Sequence, residues 1–221
     1  MGFQVAIDGP AASGKSTVAR LLAERLGFEH VNSGAIYRAV AVFLHDSGLT
    51  PNSPTDVLGE VLSSLKIDYS NGRVFVNGED YSERIQTPQA GLLASDFAKL
   101  KVVREHLVRV QREICDEKNV VVDGRDIGTV VLPNAHLKIF LTASLEERVE
   151  RKLRDYLKKG INVDRETVRR ELVERDEQDS ARSVAPLRPA EDAVIIDTTN
   201  LRIEEVLEKI LRLVQERMRK V

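Results

Sequence analysis

Near its start the chain carries Gly9-Pro10-Ala11-Ala12-Ser13-Gly14-Lys15-Ser16, directly after the short apolar run Phe3-Gln4-Val5-Ala6-Ile7-Asp8. That octet fits G-x-x-x-x-G-K-[S/T] in full, and its context fits too: strand, loop, then a helix-periodic segment with Val18, Leu21, Leu22 and Leu26. Glycine lets the backbone curl closely round an anion. Successive N–H groups and the N-terminus of the following helix then point at it. Lys15 can reach the outer phosphates of a nucleotide, and Ser16 can set its hydroxyl on Mg²⁺. The pattern therefore predicts an ATP cradle formed by Gly9, Pro10, Ala11, Ala12, Ser13, Gly14, Lys15, Ser16 and Thr17. It also requires a parallel sheet behind the loop.

The rest of the chain supplies that sheet. Short strands are expected near Glu29–Val31, Asn119–Gly124, His136–Leu141 and Ala193–Asp197, separated by helical patterns near 34–44, 55–65, 88–117 and 145–177, the last broken near Gly160. A last helix is expected from about Ile203 to the end. Val120-Val121-Val122 is apolar without alternation, as in a strand buried on both faces. Five such strands separated by helices predict an α/β fold with a mainly parallel sheet and right-handed crossovers. Residues 66–85 break the rhythm. Alternating apolar residues flank Asn71-Gly72, and Asn77-Gly78 follows, so a small antiparallel β insert of two or three strands is expected there.

Composition narrows the partners. With 221 residues, one substantial core is expected. The formal net charge of -2 argues against a general polyanion binder, so no nucleic-acid partner is expected. One cysteine, Cys115, excludes an intrachain disulfide, falls in a helical pattern as a buried thiol, and fits a reducing compartment. No apolar run approaches the roughly 20 residues of a membrane span. The first residues enter a strand with no signal-like region, so a cytoplasmic location is expected. No exposed apolar heptad stands out, and a monomer is the default.

Candidate residues for a second substrate cluster in three places. Val120-Val121-Val122-Asp123 puts a carboxylate at the end of an interior strand, where Asp123 could hold Mg²⁺ with Ser16; the alternative is an aspartate that only starts a turn. Asn32-Ser33-Gly34-Ala35-Ile36-Tyr37-Arg38 sets Ser33 near a helix start and Arg38 a turn further in, suited to a phosphate dianion. Arg125 and Asp126 follow Asp123 at the sheet edge, where they could clamp an acceptor or merely pair with each other. The segment Leu145–Arg182 holds Arg148, Arg151, Arg154, Arg165, Arg169, Arg170, Arg175 and Arg182. About half are expected on a solvated face, including i,i+4 pairs such as Glu147 with Arg151. The others would sit on a mobile lid that stabilises a transferring phosphoryl group and excludes water. His30, His45, His106 and His136 sit in no catalytic pattern.

Taken together, Ile7-Asp8-Gly9-Pro10, the Asn32–Arg38 block, Asp123-Gly124-Arg125-Asp126-Ile127-Gly128-Thr129-Val130-Val131, and Glu174-Arg175-Asp176 leading to Ala185-Pro186-Leu187 resemble the bacterial cytidylate kinases over essentially the whole chain. The resemblance implies a P-loop kinase with a five-stranded parallel sheet, an antiparallel insert in the monophosphate-binding region and a helical lid. It divides one domain, 1–221, into a core (1–31, 87–144 and 183–221), a monophosphate-binding region (32–86, with the β insert 66–85) and a lid (145–182). It implies transfer of the γ-phosphoryl group of ATP to CMP and dCMP, with Mg²⁺. Ser33, Arg38, Ser95, Arg104, Arg125, Asp126, Arg175, Asp179 and Arg182 would line the CMP site. Arg38, Arg104 and Arg125 would face its phosphate; Ser95, Arg104 and Asp126 its base; Asp179 and Arg182 its sugar. Lys15, Arg125, Arg148 and Arg151 would be catalytic, and Asn200, after Thr198 and Thr199, would lie near adenine. Two departures stand out: Asn32 where many members have Asp, and Glu177-Gln178 where several carry an additional arginine.

No protein nucleophile is needed, because phosphoryl transfer depends on positioning and charge neutralisation. The competing readings are another small-molecule P-loop kinase acting on UMP, AMP, shikimate or dephospho-coenzyme A, and a nucleotide-dependent switch module. The absence of an N-K-x-D segment weakens a GTPase.

Overall fold

A computed structural model describes residues 2–182 and 184–219. Five strands form one parallel sheet in the order β2-β6-β1-β7-β8: β2 is Glu29–Asn32, β6 Val120–Gly124, β1 Gln4–Asp8, β7 Leu137–Thr142 and β8 Val194–Asp197. All five match the strands expected from sequence. β1 sits in the middle because it is buried on both sides. Ala6 faces one apolar layer, whereas Val5 and Ile7 face the other. The same split in β6, with Val120 and Val122 on one face and Val121 on the other, explains its unbroken valine run. Each such side chain contributes about 1.5–3 kcal/mol on burial.

The helices α1 (Lys15–Leu26) and α8 (Ile203–Met218) cover the Val5, Ile7 and Val121 face. The opposite face carries α2 (Ser33–Asp46), α3 (Thr55–Ser64), α4 (Pro88–Phe97) and α5 (Lys101–Cys115). The single helical stretch expected over 88–117 is two helices. The chain turns at Ala98-Lys99-Leu100, and Leu100 is extended (φ -82°, ψ 125°). Continuous apolar periodicity hid that break, which no glycine or proline marks. The last helix closes at Met218; Lys220 and Val221, like the boundary drawn at 183, lie outside the described residues.

The insert is a three-stranded antiparallel sheet of β3 (Ile67–Ser70), β4 (Arg73–Val76) and β5 (Glu79–Asp80). Asn71 and Gly72 take φ of 51° and 75°, and Asn77 and Gly78 take 51° and 83°, the positive values a tight hairpin demands. Tyr69, Val74 and Val76 bury the insert's inner face against α2 and α5, so it extends the core layer around α2. The remaining pair, α6 (Leu145–Lys158) and α7 (Arg165–Ser180), shares its own small core of Val149, Tyr156, Val168 and Leu172, packed beside Ala11 and Ala12. That contact ties the pair to the phosphate loop. Ser144 caps α6 by accepting from the Glu147 N–H at 3.3 Å.

A β-branched residue at Gly72 meets no steric obstacle, because no atom lies within 4 Å of a Cβ there. Its cost is the left-handed backbone alone. Gly72→Val should lower unfolding free energy by about 1–2 kcal/mol in denaturant titration, and Gly72→Asn by much less.

Candidate active site

The loop Gly9–Gly14 joins the C-terminal end of β1 to α1, so its N–H groups crown the middle of the sheet. A Cβ on Gly9 would stand 2.1 Å from the Leu141 carbonyl oxygen, so only glycine lets the loop cross β7. Gly14, at φ 90°, turns the chain into α1. Lys15 is buried and its Nζ donates to the Pro10 carbonyl at 2.9 Å, folding back over the loop. Burial first, then the Arg125 cation, holds this ammonium well below its ordinary range. An anion in the loop would oppose both effects by favouring the charged form. Buried Ser13 Oγ has no partner, as befits a loop shaped for an anion.

Beside the loop, Ser16 Oγ stands 2.5 Å from Asp123 Oδ2. His30 Nε2 lies 2.8 Å from Asp123 Oδ1, and Asn32 Nδ2 lies 3.4 Å from Oδ2. Sequence reasoning set His30 aside with the other histidines. The missed signal was strand alternation: His30 and Asn32 share one face of β2, and Asn32 is in register with Asp123 of β6. Asn32 also caps α2, accepting from the Ala35 N–H at 2.7 Å, so Ser33 is the first helical residue and not the cap.

Asp8 was quoted only as part of a motif, yet it links two halves of the site. Its Oδ1 and Oδ2 accept the N–H groups of Ile127 and Gly128 at 2.8 and 2.7 Å, tying β1 to the loop that presents Arg125 and Asp126. Burial pushes its carboxyl up from 3.8 to about 6, although those two N–H groups oppose the shift.

The residues expected to line the CMP site come from α2, α4, α5, the β6 loop, α7 and the segment just beyond it. Arg125 and Asp126 do not pair with each other. Arg125 Nε donates to Asp179 Oδ2 at 2.8 Å, and Asp126 takes the buried Arg104 guanidinium at 2.5 Å. Arg182 donates to the other oxygen of Asp179. Arg104 also lies over the Tyr37 ring, 5.6 Å from its centroid. Ser95 donates to Gln178 Oε1 at 3.1 Å, joining α4 to α7. Arg38 and Arg175 have no ion pair among the described residues, and the buried Nε of Arg175 has no acceptor. Burial, then Arg125, pushes Arg175 down to about 10; burial also lowers Arg38, with Arg125 adding to the effect. Asp179 stays below its ordinary range despite burial, because Arg125 and Arg182 flank it.

About half of the arginines of 145–182 are solvated, as expected, but Arg151, expected with Glu147 on the solvated face, is not among them because its guanidinium finds the Ser13 and Thr198 carbonyls. Arg165 and Arg169 pair with Glu146 and Glu150 on an exposed face, and Arg154 and Arg170 are exposed too. Arg148 and Arg151 turn inward. Arg148 donates to the carbonyls of Ala143 and Ala11 and pairs with Asp176 at 2.6 Å. Arg151 donates to the Ser13 carbonyl at 3.1 Å and to both oxygens of Thr198, while holding Glu147 at 2.9 Å. Both guanidiniums thus brace the phosphate loop through its main chain. Asn200 is exposed in the turn after β8, two residues from Thr198, whose hydroxyl also reaches the Ser13 carbonyl.

A sequence profile described as "Cytidylate kinase" matches residues 5–216. The chain belongs to the cytidylate kinase family. A cytidylate kinase of Thermotoga neapolitana is 71% identical over 219 residues, covering 99% of this chain and 100% of that protein. One from Thermosipho melanesiensis is 49% identical over 217 residues, covering 98% and 99%. Among solved structures, a shikimate kinase from Bacteroides thetaiotaomicron superposes with a TM-score of 0.50 at 14% identity, covering 96% of this chain and 98% of that one. An uncharacterized protein from Eubacterium ventriosum gives 0.52 at 12% identity over 96% and 98%. At such identities these two show the fold alone. As a cytidylate kinase, the chain is an ATP-dependent nucleoside monophosphate kinase.

The Asp8 shift has a stability consequence with a definite sign. Its folded value lies above its unfolded one, so the native state gains as pH falls through about 6 and the gain is complete below 3.8. The unfolding free energy of the wild type relative to Asp8→Asn should rise by about 3 kcal/mol between pH 7.5 and pH 3.5. Denaturant titrations of both proteins at the two pH values measure it.

Proposed function

We propose that this kinase transfers the γ-phosphoryl group of ATP to CMP and dCMP, and that Arg38, Arg125 and Arg175 hold the acceptor phosphate. The observation that carries this is electrostatic. Three guanidiniums from α2, the β6 loop and α7 crowd together, two of them without a carboxylate partner among the described residues and each lowered by Arg125. Buried like charges in that arrangement are costly unless an anion joins them. A nucleotide phosphate, with two charges near neutral pH, is such an anion.

Ser33, Ser95, Arg104 and Asp126 line the base end in this proposal, and Asp179 and Arg182 the sugar end. Arg104 and Asp126 form a fully buried pair, so their donors and acceptors are fixed before a base arrives. Lys15 and the loop N–H groups orient the γ-phosphoryl group for in-line attack by an acceptor phosphate oxygen. ADP leaves, and no protein base is required because that oxygen is already ionised. Arg148 and Arg151 support the catalysis by holding the loop's carbonyls, and the turn at Asn200 borders the adenine. The pair α6–α7, residues 145–182, acts as a lid over the region 32–86. It already meets that region through Lys159, which donates to the Gln86 carbonyl, and it meets the neighbouring helix α4 through Ser95–Gln178.

The donor set fits Mg²⁺. Ser16 and Asp123 offer two hard oxygens, and no cluster of three or more His, Cys, Asp or Glu exists among the described residues, as suits an ion completed by water and phosphates. Ser16 and Asp123 would hold it, and it would neutralise charge on the transferring group. No described helix is long and apolar enough to cross a membrane, and Cys115 is buried with its thiol pushed up to about 12, consistent with a reducing cytoplasm and a structural role. A monomer is the proposed state.

A coupled ADP-release assay with Mg·ATP tests the reading. Turnover is expected on CMP and dCMP and little on UMP or AMP; no turnover on CMP would sink it. Arg38→Ala and Arg125→Ala should each lower kcat/KM for CMP by roughly 10–100-fold, the loss of one or two charge-assisted hydrogen bonds, while leaving ATP affinity near wild type.

A further inference from the structure

We propose that His30 is a positioning residue for the nucleotide-bound metal: it fixes the carboxylate of Asp123 so that Oδ2 stays turned toward the Ser16 hydroxyl. The proposal rests on the reading that Ser16 and Asp123 hold Mg²⁺.

The orientation of every group follows from its partners. A carboxylate only accepts, so the contact of His30 Nε2 with Asp123 Oδ1 at 2.8 Å requires the proton on Nε2. The Asn32 amide is equally determined. Its Oδ1 is taken by the Ala35 N–H at 2.7 Å, which leaves Nδ2 to face Ser16 Oγ at 3.3 Å and Asp123 Oδ2 at 3.4 Å. Asp123 is therefore gripped on one oxygen by an imidazole N–H. Its other oxygen faces a hydroxyl and an amide. The His30 side chain is 15% exposed and that of Asp123 only 3%, so water competes little for these bonds.

The arrangement also gives the Asn32 departure a meaning. An aspartate at position 32 would bring a second carboxylate against Asp123. Here an amide faces it instead, so the local negative charge rests on Asp123 alone. A single carboxylate that must hold a metal gains most from a fixed orientation, because rotation about χ2 would turn its second oxygen away from Ser16. The hydrogen bond from His30 removes that freedom, as partners behind metal-holding groups do elsewhere. A merely structural His–Asp bond would join the edge strand β2 to β6 without touching metal affinity, and the test must separate the two.

ADP affinity is measured by titration calorimetry with Mn²⁺ and, separately, with chelator; the ratio is the metal enhancement. His30→Leu should reduce that enhancement roughly 10-fold or more, with metal-free ADP affinity unchanged. His30→Gln, whose amide N–H can reach Oδ1, should recover most of it. Enhancement at the wild-type level in His30→Leu, or equal loss in both variants, overturns the role of the Nε2 donor. Asp123→Asn is the control on the underlying reading. If it keeps full enhancement, the metal assignment to Asp123 fails; if it loses enhancement while His30→Leu does not, only the role of His30 fails. Nitrogen NMR of the wild type supplies a readout independent of variant folding. The His30 ring should be the Nε2–H tautomer, and its Nε2 signal should move with Mg·ADP but not with ADP alone. The opposite tautomer, or no metal-dependent movement, refutes the proposal.

Discussion

The gathering of like charge at one end of the sheet is the constraint on which the site depends. Lys15 is withdrawn from water near Arg125 and Arg175, Arg38 and Arg182 adjoin Arg175 in turn, and Asp179 is the carboxylate that Arg125 and Arg182 share. Such a group is costly to assemble, and the surrounding fold must over-determine it. Two apolar layers clamp the sheet from which the phosphate loop and the β6 loop emerge. Helix α7 brings Arg175 and Asp179 to the same place, Arg182 follows just beyond its end, and the small core it shares with α6 packs beside Ala11 and Ala12. What remains unbalanced is the positive charge of Arg38 and Arg175, which have no carboxylate partner among the described residues; in the proposed function a nucleotide phosphate balances it.

The polar groups around this cluster link the phosphate loop to the loop after β6. Asp8 ends β1, where the phosphate loop begins, and it grips the N–H groups of Ile127 and Gly128 just beyond Arg125 and Asp126. Asp123 ends β6 and meets Ser16 at the start of α1. Two adjacent parallel strands thus exchange carboxylates across their C-terminal ends, each reaching the other's loop. Arg148 and Arg151 add a third link, from α6 to the carbonyls of Ala11 and Ser13.

Much of this was legible in the sequence because it obeys local rules. The octet at Gly9–Ser16, the valine run before Asp123 and the two Asn-Gly turns each state their conformation through short-range sterics and burial. The expectation that about half the arginines of 145–182 are solvated also holds. Other features were not legible. The break at Ala98–Leu100 has no glycine or proline to mark it. The cap of α2 is Asn32, whose amide oxygen reaches the Ala35 N–H. Arg125 and Asp126, neighbours in sequence, turn to different partners, since Asp179 and Arg104 arrive from α7 and α5 with better geometry.

The sequence alone determined the sheet's strands, the phosphate loop, the hairpin insert and the family, because each depends on residues close together in the chain. Tertiary structure alone decided how charge is shared. It put His30 behind Asp123, pressed Asp8 into a buried clamp, and left Arg38 and Arg175 without a carboxylate among the described residues. Those outcomes depend on distances between residues tens of positions apart, and on water excluded by elements packed from both faces of the sheet. No pattern of neighbours along the chain encodes either quantity.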